Sequence, residues 1–402
     1  MEIFEKHWKL LRKFCGNIMR RRFGWKKQLT KFIKFFYLLI EWPFELLGDL
    51  LFFWMRLGKK TLTNPRRILI VKIDQFGDVL FSTFLLSIIK KKYPDLEIDY
   101  LINPKTKPLL EKNSHIANIY FWEDPFLLSL MGREKNKTGG IVAVMKRNDA
   151  VLCELKKRHY DAVINTRAYP PSSNIPWRQL GGALIAFDIS EQSFFADYWA
   201  DYNLEEEEWK NYLNLLRPLG IDISHAEFCE EFYNNEAANL MNAMGSYVVI
   251  SPVSFDVERT WKKGNWQQLI TFLISQGFLV ALTGMPSQKE YLEGLVSPAN
   301  KDSVHILTDM KIQEFGALMK GATFFVGIDS FPAHLSLACN RQSIVLVNKD
   351  SYYIKGFSQK RFPTDARIML PIVDTMKILD IEKTSVKDVE TVIEKIVGKE
   401  EN

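Results

Sequence analysis

Residues able to do chemistry fall into separate groups along this chain. Gly77-Asp78 follows the apolar run Ile68-Leu69-Ile70-Val71 and precedes an apolar, helix-like segment from Val79 to Lys92. A carboxylate beside a glycine at the carboxyl end of a buried parallel strand sits where open α/β sheets collect ligands. Asp78 is therefore a candidate for chemistry. The same position also suits an ordinary helix N-cap. Farther on, Arg259-Thr260-Trp261-Lys262-Lys263 leads into Trp266, and a later strand ends at Thr283-Gly284. Last comes Asp329-Ser330 with His334 beyond it, where Ser330 followed by Pro332 reads as the opening of a helix. Such an opening presents backbone N–H groups to an anion.

Strands must carry these residues, and the pattern supplies them. Arg67 to Lys72, Glu97 to Ile102, Ile119 to Trp122 and Tyr160 to Thr166 read as strands. Helical stretches separate them, at Lys105 to Lys112 and Ile141 to Arg158. After a helix over Glu205 to Leu216 and a linker to about Gly245, the alternation resumes. Strands at Tyr247 to Ile250, Leu279 to Thr283 and Thr323 to Gly327 surround a helix that starts near Asn265. Strands alternating with helices argue for parallel sheets wound on both faces. The expected organisation is an arm at 1–64, a first Rossmann-like domain at 65–240 and a second at 241–402.

The net charge of +5 hides an uneven distribution: residues 1–67 carry +11 and the remainder −6. A body with a net negative charge argues against a nucleic-acid partner, and the basic arm points to an anionic membrane surface. From Lys27 to Lys60 the charged residues Lys27, Lys31, Lys34, Glu41, Glu45, Asp49, Arg56 and Lys60 keep to one helical stripe. Aromatic and aliphatic residues fill the rest, and Pro43 divides the stretch into two amphipathic helices. Three carboxylates, each costing about 2.5–3.5 kcal/mol near a bilayer centre, favour helices lying in the interface over a span. An arm packed on the protein's own body would show the same pattern. Four scattered cysteines and six scattered histidines form neither a disulfide framework nor a metal-ligand spacing.

Taken together and in this order, Gly77-Asp78, Arg259-x-Trp261 with Trp266, Thr283-Gly284 and Asp329-Ser330 with His334 resemble the heptosyltransferases of lipopolysaccharide core synthesis. These are the glycosyltransferases grouped as family 9. The resemblance runs from about Arg67 to about Val373. It implies a GT-B fold, two Rossmann-like domains facing across a cleft, here preceded by the amphipathic helical arm. It implies that Asp78 takes the proton of the acceptor hydroxyl, with Gly77 as a backbone turn beside it. Arg259, Thr283, Gly284, Asp329, Ser330 and His334 match the donor and phosphate site, and Glu290 matches a ribose-contacting acid. No metal or other cofactor is implied. The co-substrate is a nucleotide-diphosphate sugar of ADP-heptose type, and the acceptor a lipopolysaccharide core or another lipid-linked glycan. The place is the cytoplasmic face of the inner membrane, with the enzyme peripheral or monotopic. The chain departs from the pattern at Phe331, where the family carries glycine, and at Asn348-Lys349-Asp350. Phe331 keeps a second reading in view, a non-catalytic membrane-bound scaffold on the same fold. A dinucleotide oxidoreductase is disfavoured because no Gly-x-Gly-x-x-Gly follows the first strand.

Overall fold

The computed structural model describes residues 62–123, 140–167, 174–188, 196–233, 245–253, 260–348 and 370–400. The expected arm lies outside them except for its last three residues.

Two six-stranded sheets form the framework. The first contains β1 (Arg67–Lys72), β2 (Glu97–Ile102), β3 (Asn118–Phe121), β4 (Ala162–Asn165), β5 (Ala183–Asp188) and β6 (Tyr198–Asp201). Their order is β3-β2-β1-β4-β5-β6. The second contains β7 (Tyr247–Ser251), β8 (Leu279–Thr283), β9 (Val304–Leu307), β10 (Phe324–Ile328), β11 (Gln342–Val347) and β12 (Met376–Asp380). It runs β12-β11-β10-β7-β8-β9, and every pairing in both sheets is parallel. Counted from its own first strand, each sheet reads 3-2-1-4-5-6, the doubly wound order whose ligand crevice opens between strands 1 and 4.

The helices are α1 (Phe76–Phe81), α2 (Phe84–Lys92), α3 (Lys107–Leu110), α4 (Gly140–Lys156), α5 (Ile175–Arg178) and α6 (Glu208–Asn214) in the first half. In the second they are α7 (Lys263–Ser275), α8 (Lys289–Glu293), α9 (Ile312–Gly321), α10 (Phe331–Ala338) and α11 (Val386–Glu400).

β1 is central because its sequence suits no other place. Ile68, Leu69, Ile70 and Val71 are all fully buried, as a strand covered on both faces requires. Ile68 pairs with Ile98 on one side and with Ala162 on the other. The predicted single helix from Val79 to Lys92 differs from the structure in two ways. It begins earlier, at Phe76, and it breaks into α1 and α2. The break has a local cause. Ser82 Oγ donates to the Val79 carbonyl at 2.7 Å and Thr83 Oγ1 to that of Leu80 at 2.6 Å, so side chains compete with the helix ladder.

One apolar cluster runs through both halves. It includes Phe81, Phe84 and Tyr212 from the first and Leu318, Ala333 and Leu335 from the second. α10 packs directly on α1, and Gln313 of α9 donates from Nε2 to the Pro108 carbonyl of α3 at 2.7 Å. The connecting segment 221–233 is pressed into the same seam. A Cβ on Gly316 of α9 would stand 2.1 Å from Phe232 Cε1, so only glycine admits that ring.

Candidate active site

The first switch point, between β1 and β4, is built of charge. The chain leaves β1 at Lys72 and enters α1 through Ile73-Asp74-Gln75. Gln75 is the N-cap, so Asp78 stands at the third helical position rather than at the cap. There its carboxylate accepts from the Gln75 backbone N–H, the reciprocal half of a capping box. That bond aims the side chain.

Lys72 is buried. Its Nζ donates to the Tyr212 hydroxyl at 2.6 Å and lies 3.1 Å from Asp74 Oδ2. The other oxygen of Asp74 faces Arg167 Nε, beyond β4, at 3.1 Å. Burial alone would discharge Lys72, but Asp74, Tyr212 and Asp78 hold its ammonium well above the ordinary range. Burial would likewise raise Asp74, but Lys72 and Arg167 outweigh it and keep that carboxyl low. Asp78 goes the other way. The residue is exposed to solvent on one side, with protein packed around the rest of it. That desolvation, helped by Asp74, raises its carboxyl against the pull of Lys72 and His334. Behind this group Tyr202 donates its hydroxyl to the buried carboxyl of Glu208, which burial pushes up to about 7.

The second switch point, between β7 and β10, is built of backbone and small hydroxyls. β10 ends at Ile328, and the N–H of the buried Asp329 donates to the Leu346 carbonyl at 3.2 Å. Ser330 is the extended N-cap of α10 and Pro332 lies in its first turn. The Ser330 hydroxyl turns back to the Ile328 carbonyl at 3.2 Å and does not cap the helix. The opening of α10 is thus left to backbone N–H groups. Beside it the Ser251 and Thr283 hydroxyls bond each other at 2.5 Å, which places Thr283 in the wall of the site with its hydroxyl occupied. Gly284 serves close packing: a Cβ there would stand 2.9 Å from Leu292 Cδ1 and 3.0 Å from Gln288 Oε1. Glu290, at the start of α8, is exposed, and its side chain has no hydrogen-bond or ion-pair partner among the described residues.

The contact of α1 with α10 brings the two switch points together. A Cβ on Gly77 would lie 3.0 Å from His334 Cδ2 and 3.6 Å from Phe331 Cα, so glycine lets the helices approach. The Phe331 ring stands 5.6 Å from Phe76 and 6.2 Å from Phe315, packed in the seam. His334 reaches back to Glu230 of the connecting segment, Nδ1 to Oε1 at 2.7 Å. Burial opposes protonation of this imidazole, but Glu230, Asp329 and Asp78 together raise it above its usual value.

Gly77, Asp78, Asp329, Ser330 and His334 thus meet across one helix contact. Thr283 and Gly284 stand at the carboxyl end of β8, Glu290 lies on the surface beyond them, and Arg259 lies outside the described residues. Trp261 and Trp266 are buried edge to face in the core, their centroids 5.3 Å apart. Sequence reasoning missed Lys72, Asp74, Arg167, Glu208 and Glu230. A lysine closing an otherwise apolar strand, with an acid two residues on, is a signal that marks Lys72 and Asp74; Glu230, in an aperiodic linker, offers none.

Residues 150–352 match the family described as glycosyltransferase family 9 (heptosyltransferase). Lipopolysaccharide heptosyltransferase 3 of Escherichia coli K12 is 27% identical over 292 residues, which is 67% of this chain and 79% of that protein. Lipopolysaccharide heptosyltransferase 1 of Campylobacter coli is 22% identical over 317 residues, covering 72% and 86%. Among solved structures, E. coli heptosyltransferase WaaC with ADP-2-deoxy-2-fluoro heptose superposes with a TM-score of 0.62 at 17% identity, covering 82% of this chain and 99% of that one. The E. coli ADP-heptose lps heptosyltransferase II superposes at 0.63 with 13% identity, covering 84% and 100%. These likenesses show the fold, two Rossmann-like halves in the GT-B arrangement.

Proposed function

The chain belongs to glycosyltransferase family 9, and we propose that it moves a heptose-type sugar from an ADP-linked donor to a lipopolysaccharide-core or similar lipid-linked acceptor. The observation that carries this reading is the meeting of Asp78 with the start of α10 and His334 across the α1–α10 contact.

In this reading Asp78 accepts the proton of the acceptor hydroxyl as its oxygen attacks the anomeric carbon. The bond from that carbon to the diphosphate oxygen breaks, and its electron pair leaves with the nucleoside diphosphate. One displacement of this kind inverts the anomeric centre. A carboxylate at its ordinary pKa is a weak base in water, and the enclosure that raises Asp78 makes it a stronger one. The open N-terminus of α10 and the His334 ring are assigned to the departing negative charge, and Arg259 to the donor's phosphates. Thr283, Gly284 and Asp329 shape that wall, and Glu290 is assigned to the donor's ribose. No metal is needed, because fixed cations and N–H groups take the leaving-group charge.

Among the described residues no helix is long and apolar enough to cross a membrane. We assign the basic arm at 1–64 to peripheral contact with an anionic membrane at the cytoplasmic face, where a lipid-linked acceptor is confined. The division at 65–240 and 241–402 assigns acceptor to the first half and donor to the second.

The test is a thermal-shift comparison of ADP, UDP, GDP, CDP and CMP. A ligand at 100 times its Kd adds about 2.7 kcal/mol of apparent stability. Selective stabilisation by ADP supports the donor assignment. Stabilisation by a different nucleotide replaces it, and turnover that inverts no anomeric centre overturns the mechanism.

A further inference from the structure

Glu230 is a buried acid that the reaction as written does not use. Its side chain has no exposed surface, Oε1 lies 2.7 Å from His334 Nδ1, and Oε2 has no hydrogen-bond partner. A half-satisfied buried carboxylate is a poor stabilising device, since the desolvation of the unpaired oxygen is not recovered. Its geometry relative to His334 gives it another use. With Nδ1 engaged by Glu230, the ring edge carrying Nε2 points toward α1, 3.6 Å from where a Gly77 Cβ would sit. Nε2 has no partner among the described residues. The charged groups facing the ring are Glu230 from the connecting segment, Asp78 from α1 and Asp329 from the turn before α10.

We propose that Glu230 is a positioning residue that fixes the His334 imidazole with its Nδ1 proton engaged, so that Nε2–H is presented to the leaving diphosphate of the donor. This rests on the transferase reading above. The ring keeps its proton throughout. It acts as a hydrogen-bond donor and a fixed positive charge, and the only proton that moves is the one Asp78 accepts. Tying Nδ1–H to a carboxylate supports the imidazolium, the form in which Nε2 also carries a proton, as second groups behind a functional histidine generally do.

The experiment compares wild type with Glu230→Gln, which keeps the shape and removes the charge. Side-chain nitrogen NMR, with the His334 signal assigned by its loss in His334→Ala, reads the ring directly and needs no turnover. His334 is expected to titrate at lower pH in Glu230→Gln, and kcat/KM to fall between about 10- and 100-fold. The loss should lie in kcat more than in donor KM, and the alkaline limb of the pH profile should move to lower pH. In the His334→Ala background the same change should cost nothing further. An unaltered ring titration, or an equal loss in the absence of His334, overturns the proposal. If the Gln variant does not fold, Glu230→Asp, which keeps the charge and shortens the reach, takes its place under the same criteria. A wild-type protein that transfers no sugar would sink the transferase reading, while the ring titration would still decide what Glu230 does to His334.

Discussion

The switch point between β1 and β4 is lined by ionised side chains, whereas the one between β7 and β10 is lined by backbone amides and small hydroxyls. Both sheets have the same strand order, so topology does not explain the difference. The tasks assigned to them do. A base needs its pKa adjusted and its carboxylate aimed, which takes neighbouring charges; Lys72, Asp74 and Arg167 supply them in near balance. A diphosphate needs room and N–H groups, which a helix start offers without side chains. Without those charges the first site would leave Asp78 untuned.

Substitutions test that contrast. The largest effect is expected at Asp78. Asp78→Asn should lower turnover by about 10²–10⁴-fold, the usual share of a general base, while the nucleotide thermal shift is retained. Loss of nucleotide binding together with turnover would erase the division of labour between the two sites.

Next comes Lys72→Met, which strips the buried network of a cation and should destabilise the fold by about 3–5 kcal/mol in denaturant unfolding. A cost below about 1 kcal/mol would mean that the network is not the structural element described above.

Glu208 gives a pH signature to the same region. Its carboxyl is raised from 4.5 to about 7 in the folded protein, so folding takes up a proton there. The associated stability is complete below about pH 4.5 and is lost as pH rises toward 7, amounting to about 3 kcal/mol. Denaturant melts between pH 5 and 7.5 should show this decline in wild type and a flatter profile in Glu208→Gln. Parallel profiles would remove Glu208 from the account.

The smallest effect belongs to the second site. Thr283→Val breaks the hydroxyl pair with Ser251 and should cost about 1 kcal/mol, with no change in pH dependence. A cost equal to that of Lys72→Met would abolish the contrast between the two sites.

Much of this was readable in the chain, and the unread part has identifiable causes. Continuous apolar runs such as Ile68 to Val71 and Val248 to Ile250 announce buried parallel strands. Pro332 after Ser330 announces the start of α10. Strand order is a tertiary property, so no local pattern in β5 or β12 states which neighbour it takes. The break between α1 and α2 depends on two hydroxyls turning inward, which apolar periodicity does not register. Asp78 was legible as a residue of the strand-to-helix turn but not as the third residue of a helix, because Gln75 is an uncommon cap. Glu230 was invisible, since its meaning comes wholly from a histidine 104 positions away.

The connecting segment ties these parts mechanically. Glu231 donates its backbone N–H to Thr83 Oγ1 at 2.7 Å, at the α1–α2 break, while its neighbour Glu230 grips His334 on α10. Consecutive Cα atoms are about 3.8 Å apart, so these adjoining residues act as a short, inextensible leash between the halves. Swinging the halves apart at this point must release either the threonine or the histidine. At this point the seam is held by two adjoining residues, each bonded to a different half.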